Sequence, residues 1–229
     1  MEYLFTFAAQ TNKIIKMKKQ VLNIFTVLAL GLAVVGCKNE NQAETSEAKE
    51  VAEVAVEAKY KAIAEESMIM WEANKIVGGH SGTINLSNGV IETKGNALVG
   101  GNFIFDIATL ANTDIEDAEQ KAKLEGHLKA DDFFDVEKFP NASFEITSVE
   151  GDNVSGNLMM KGIKKNITIP VKVGMNEDMM TITSDVFTID RTEWDIKYNS
   201  GKFVDPAKLG DYMIKDDVEL KISVTAKKA

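Results

Sequence analysis

The 229-residue sequence predicts an all-β fold with one short helix, on three observations. Beyond Lys59, apolar and polar residues alternate with a period of two, as in Val218, Leu220, Ile222 and Val224 against Glu219, Lys221, Ser223 and Thr225. That spacing puts one face of each strand in a core and the other in water. Turn-forming clusters punctuate the runs at Val77-Gly78-Gly79, Ser87-Asn88-Gly89 and Gly151-Asp152-Asn153. One stretch, Ile115 to Leu128, is rich in Glu, Lys, Ala and Leu and lacks the alternation.

In chain order, Lys16, Lys18 and Lys19 precede an apolar run from Val21 to Val35, and Gly36 then leads into Cys37, the only cysteine. A run of about 15 residues falls short of the roughly 20 that span a bilayer as a helix. A basic flank, a short apolar run and a small residue before cysteine have the form of a secretory signal ending in a lipidation site. Residues 1–36 are therefore expected to be the signal, with Cys37 the lipidated first residue of the mature chain. The protein is then expected in the cell envelope, anchored to the outer membrane and facing the periplasm, or exposed at the cell surface. The other reading of the same residues is an uncleaved anchor with an incidental thiol. Met17 looks the more natural start, and residues 1–16 are then expected to be a mis-assigned extension. With one cysteine no internal disulfide is possible, so the fold must hold by its core.

Residues 37–58 follow as the lipidated cysteine and a flexible tether. Lys38 to Glu57 has no aromatic residue, glycine or proline and is dominated by Ala, Glu and Val, which buries too little to fold alone. Acidic residues this close to Cys37 are alternatively a surface-export signal. Residues 59–229 are of a size for one domain with a sizeable core. The net charge is −9, and because residues 1–36 contribute +3, the remainder carries −12. Such an acidic surface argues against nucleic acid and anionic lipid faces as partners, and its simplest use is solubility. A monomer and a dimer are both compatible with it.

Strands are predicted at 59–65, 67–76, 80–86, 89–98, 101–108, 142–150, 153–160, 163–173, 180–189 and 215–225. The helix is predicted over 115–128, with Ala118, Ala122 and Leu124 on one face. Short turns between so many strands fit a closed antiparallel barrel or a two-sheet sandwich, and alternation does not choose between them.

Three ordered segments carry a resemblance: HLKADDFFDVEKFP (His127 to Pro140), GNLMMKGIKKNITIPVKV (Gly156 to Val173) and FTIDRTEWDI (Phe187 to Ile196). Together they resemble the YceI-like family of lipocalin-like, polyisoprenoid-binding periplasmic proteins. The core of the first segment is Leu128, Asp132, Phe133 and Phe134. Ser67 to Lys75 looks like the family's opening strand, and Gly82 to Asn112, with Asp106 and Thr109, like the hairpins after it. Two positions depart from the pattern: Asn166 stands where many relatives carry proline, and Trp194-Asp195 where Phe-Gly is common. The resemblance implies a lipocalin-like antiparallel β-barrel. Its lumen is expected to hold a long isoprenoid lipid or quinone as bound ligand, with no cofactor and no covalent step. The rival is an envelope stress or interaction protein whose barrel is filled and whose loops bind a protein or glycan.

Strand parity nominates Trp71, Phe103, Phe105, Phe144, Leu158, Met160 and Phe187 as wall residues; an apolar residue at strand parity is more often ordinary core, and only a real cavity overturns that reading. Phe133 and Phe134 follow the helix, so one of them plugging a barrel end and the other facing the lumen is the expected division. Arg191 is the only arginine. Its fork suits either a buried pair with Asp106 or Asp190 or a ligand head group. For catalysis the inventory is thin. His80 and His127 are the only histidines, no Gly-x-Ser-x-Gly elbow occurs, and His127 beside Asp131 and Asp132 reads as a solvated helix end rather than a metal site. The expectation is a binding protein and not an enzyme.

Overall fold

The computed structural model describes residues 41–229, and the expected signal at 1–36, the extension at 1–16 and the lipidation site Cys37 lie outside them. Eleven strands form one antiparallel sheet: β1 (Glu44–Glu47), β2 (Ala58–Ala62), β3 (Met68–Lys75), β4 (Gly79–Lys94), β5 (Ala97–Asn112), β6 (Asn141–Glu150), β7 (Asn153–Met160), β8 (Ile163–Asn176), β9 (Met179–Ser184), β10 (Phe187–Asp190) and β11 (Ile214–Lys228). The sheet closes on itself. Neighbours run β3, β4, β5, β6, β7, β8, β9, β11 and back to β3. β2 shares a place in the ring with β3, and β10 with β9, so eight positions make the wall. An eight-strand ring encloses just enough space for side chains or one small ligand.

The inward face is a continuous apolar core, including Trp71, Ile84, Leu86, Ile91, Phe103, Phe105, Phe144, Ile146, Ile167, Ile169, Ile182, Phe187 and Val224. These residues fall at alternate positions, so the period-two pattern chose the lumen face. Ser87-Asn88-Gly89, read from sequence as a break, is a bulge inside the long strand β4, where the register with β5 shifts between Leu86 and Asn88. Gly89 is needed there because a Cβ would sit 3.0 Å from the Cβ of Ala62 and from Cδ1 of Phe103. The true turn lies at Gly95, with φ +58°. The stretch expected as one strand at 180–189 is split at Asp185-Val186 into β9 and β10.

Helix α1 (Ala118–Lys129) is capped by the Asp117 carboxylate, which accepts from the Gln120 N–H at 2.9 Å. Its inward side matches the expected one only in part: Leu124 is half-buried, but Ala118 and Ala122 are exposed, and Glu125 and Leu128 make the contacts with the barrel. The reason is polar. Glu125 Oε1 accepts the N–H of Asn112 at the end of β5 at 2.8 Å, and this bond sets the helix rotation. A second helix, α2 (Pro206–Leu209), is a single turn, and no helix among the described residues is long and apolar enough to cross a membrane.

The described part of the expected tether is instead built into the barrel. Along β8, residues 163–170 pair with β7 on one side, while on the other β9 pairs only from Val171. Segment 41–47 fills the space left between the start of β8 and β10. β1 runs antiparallel to β8, with Glu44 opposite Thr168 and Glu47 opposite Lys165. On its other side the Ala43 N–H donates to Thr188 O and the Thr188 N–H to Asn41 O, both at 2.9 Å. From there the chain crosses the outer wall to β2, with the Ala52 N–H on Thr147 O and the Glu57 N–H on Thr93 O. Composition hid this segment, because it meets the wall through its backbone and asks little of its side chains.

Candidate functional site

Two apolar chambers lie end to end in the lumen. The first, of about 60 Å³, is lined among others by Leu98, Phe103, Phe144, Ile146, Ile167, Ile169 and Phe187. The second, of about 120 Å³, is lined by Trp71, Ile84, Leu128, Phe133, Phe134, Met160, Ile189 and Arg191 among others. Ile69, Phe105, Leu158 and Leu220 border both, so these four side chains form the partition. Together the chambers are smaller than the roughly 300–1,000 Å³ of a typical small-molecule pocket.

Every wall residue nominated from strand parity lies on this lumen. Phe103, Phe144 and Phe187 line the first chamber, Trp71 and Met160 the second, and Phe105 and Leu158 the partition. Phe133 and Phe134 both border the second chamber, so the expected division of labour between them is absent. Phe133 is the more buried, and it packs against His127 (5.0 Å between centroids, edge to face) and Tyr198 (5.1 Å). These rings and α1 close that end of the barrel. Residues that sequence reasoning did not nominate, among them Leu128, Ile196, Ile214 and Val218, complete the same end. The 3₁₀ turn Arg191–Trp194 and the loop after it, which carry no period-two signal, bring Ile196 there.

Arg191 is 4% exposed, and its donors are committed to the fold. Nε donates to Lys215 O (3.1 Å), Nη1 to Ile196 O (2.6 Å) and Nη2 to Ile214 O (3.1 Å). The acidic group in contact is Asp216, 3.5 Å from Nη2, and not Asp106 or Asp190. Asp106 is engaged locally, accepting the Ala108 N–H at 2.9 Å, and Asp190 pairs with Lys202. Burial pushes the Arg191 pKa down, with Asp216 acting against it. The guanidinium thus fastens the end loop to the barrel, and its apolar edge is what it offers the lumen.

Trp194, part of the departure noted at 194–195, is fully buried and donates Nε1–H to Leu158 O at 3.1 Å, which braces β7 beside the partition. Trp71 is different. Its Nε1–H has no hydrogen-bond partner among the described residues, which leaves a buried donor on a residue of the second chamber.

Neither histidine borders a chamber. His80 Nδ1 lies 3.0 Å from Asp114, and His127 Nε2 lies 2.9 Å from Asp132, each part-exposed at the barrel surface. Among the described residues no group of three His, Cys, Asp or Glu is placed to hold a metal.

Comparison with known proteins agrees with this architecture. A family model described as the YceI-like domain matches residues 60–226. The UPF0312 protein of Pseudomonas aeruginosa strain LESB58 is 35% identical over 91 residues, covering 34% of this chain and 47% of that protein. Protein YceI of Salmonella newport gives the same identity and coverage. The match therefore spans about half the length of these curated relatives. Among solved structures, BcnA of Burkholderia cenocepacia superposes with a TM-score of 0.57 at 20% identity, over 72% of this chain and 99% of its own. A polyisoprenoid binding domain from Saccharophagus degradans, described as implicated in plant cell wall breakdown, gives 0.55 at 13% identity, over 76% and 100%. At such identities the likeness is one of fold.

Proposed function

The chain belongs to the YceI-like domain family, and we propose that its barrel binds one long apolar lipid, of the polyisoprenoid or isoprenoid-quinone type, without a covalent step. The observation that carries this reading is the continuous apolar lining of the two chambers, divided only by the side chains of Ile69, Phe105, Leu158 and Leu220. The S. degradans neighbour, described as polyisoprenoid binding, supports the ligand class. Because the chambers are small, a long chain fits only when the partition side chains turn aside and the two spaces merge. Burial supplies the driving force, about 25 cal/mol per Å² of apolar surface removed from water. Specificity then rests on the length and shape of an entirely apolar lumen. No catalytic step is assigned, because both histidines lie outside the lumen wall.

The second reading, a filled barrel that binds a protein or glycan through its loops, is favoured by the small volumes alone. Extraction of the purified protein with organic solvent, followed by mass spectrometry, separates the two. A stoichiometric isoprenoid, lost on Phe105→Asp in a variant that still folds, supports the carrier. A clean extract, repeated after incubation with isoprenoid quinones and polyprenols, supports the filled barrel.

Attachment to the envelope through Cys37 belongs to the same proposal. It is supported by the Lys-rich flank, the short apolar run and Gly36 before the cysteine. Fatty-acid labelling of the wild-type chain, absent in Cys37→Ser, tests it.

A further inference from the structure

We propose that residues 41–52 are a detachable seam strand, which closes a lateral slot between β8 and β10 and so controls access to the lumen. The inference rests on the lipid-binding reading for its purpose, but its geometry stands apart from it. The barrel does not need this segment to complete its ring, since β9 already joins β8 to β11. The segment occupies a wedge where the first half of β8 and the whole of β10 are not paired with each other. Into the core it sends only Ala43, a single methyl group. On one side of that methyl, Ile167 and Ile169 line the first chamber. On the other, Phe187 lines the first chamber and Ile189 the second. A slot there would open between residues that line both chambers, Ile167, Ile169 and Phe187 for the first and Ile189 for the second, rather than at the end closed by α1 and Phe133.

The outer wall carries a clasp for the segment. The Asn157 side-chain amide holds the Lys49 peptide in both directions: the Lys49 N–H donates to Oδ1 at 2.9 Å, and Nδ2 donates to Lys49 O at 2.7 Å. Asn166 orients it, donating from Nδ2 to Asn157 Oδ1 (3.2 Å) and Thr147 Oγ1 (3.0 Å). Thr147 O in turn accepts the Ala52 N–H. All three clasp side chains are at least 95% buried, at 3%, 1% and 4% exposure for Asn157, Asn166 and Thr147. Asn166 thus spends both Nδ2 hydrogen bonds on the clasp, a role that needs a side-chain amide. A side-chain amide copies the donor and acceptor of a strand neighbour, so it grips a backbone whatever its sequence. On release the clasp groups meet water on an outer face, and the segment itself withdraws only the Ala43 methyl from the core.

A disulfide placed across the seam tests this. Glu44 and Thr168 stand directly opposite on the outer face, within the Cα spacing a disulfide tolerates. The full chain with Glu44→Cys, Thr168→Cys and Cys37→Ser is compared oxidised and reduced. In the reduced form, the amides of Ala43 and Thr188 should exchange hydrogen at least about tenfold faster than those of the β7–β8 ladder, and oxidation should remove the difference. Equal protection in both forms overturns the seam. Asn157→Ala should speed exchange at Lys49 without the disulfide, and unchanged exchange there overturns the clasp. With menaquinone in phosphatidylcholine vesicles as probe, oxidation should slow uptake about tenfold without changing the final amount, as expected of a gate. Equal uptake rates overturn the slot as a route. If neither form takes up menaquinone, the lipid reading and the route fall together, while exchange still decides whether the strand detaches.

Discussion

The ring of Phe144 on β6 lies against the bare α-carbon of Gly156 on β7, so close that a methyl group there would stand 2.7 Å from both Cε1 and Cε2. Phe144 lines the first chamber, and Gly156 lets its ring lie flat on the wall instead of filling the space. Gly156→Ala should therefore push the ring inward and lower stability by about 1–3 kcal/mol, the usual cost of overpacking. Denaturant unfolding measures it. If the contact is the cause, adding Phe144→Leu should recover part of the loss, a coupling that a double-mutant cycle reads directly.

Gly126 gives the opposite sign. It lies inside α1, and a Cβ there would meet nothing within 4 Å. Gly126→Ala should stabilise by about 0.5–1 kcal/mol through helix propensity alone, seen as a higher denaturation midpoint with an unchanged slope.

Arg191 holds Ile196, Ile214 and Lys215 by their carbonyls and lies against Asp216. Arg191→Met should cost about 3–5 kcal/mol, because it strands a part-buried carboxylate as well as three acceptors. Arg191→Lys should cost about 1–3 kcal/mol, since one ammonium cannot reach all three carbonyls in a plane. Hydrogen exchange should show the loosening in residues 196–214 first.

Asp190 and Asp217 face each other across the β10–β11 pair and titrate in opposite senses. Burial alone would raise the Asp190 carboxyl, but Lys202 and the Thr192 hydroxyl and N–H outweigh it and hold the pKa below the usual value. Its stabilisation is full above the unfolded pKa near 3.9 and is lost as pH falls through the lower folded value. Asp217 is raised, first by burial and then by the charge of Asp190. Its contribution is favourable below the unfolded pKa and is lost as pH rises through the folded one. Asp217→Asn should thus stabilise near neutral pH, and Asp190→Asn should destabilise, each by roughly 0.5–1 kcal/mol. Both effects should fade in acid, which urea unfolding between about pH 3 and 7 tests.

His127→Ala separates binding from catalysis. The ring packs edge to face on Phe133 and Tyr198, at 5.0 and 4.8 Å between centroids, and lies outside the lumen wall. Its loss should cost about 1 kcal/mol of stability at that end, as for other aromatic contacts, with the amount of extracted lipid unchanged. A loss of some turnover without loss of bound lipid would instead revive an enzymatic role.

The sequence by itself determined which side chains face inward. Alternation is a local property of the pleat, so Trp71, Phe103, Phe105, Phe144, Leu158, Met160 and Phe187 reach the lumen through strand parity alone. It also placed α1 and, through the motif from His127 to Pro140, the end that Phe133 and Phe134 close. Tertiary structure decided what depends on partners far along the chain. The register that makes Ser87-Asn88-Gly89 a bulge, the two β11 carbonyls that claim Arg191 and the bond from Asn112 to Glu125 on α1 are all relations between residues far apart in the chain. Segment 41–52 is the clearest case. Its Ala- and Glu-rich composition offers almost nothing to bury, so no local pattern predicts structure for it. Its place in the wall comes from backbone hydrogen bonds that exist only once β8, β10, Asn157 and Asn166 have been assembled to receive it.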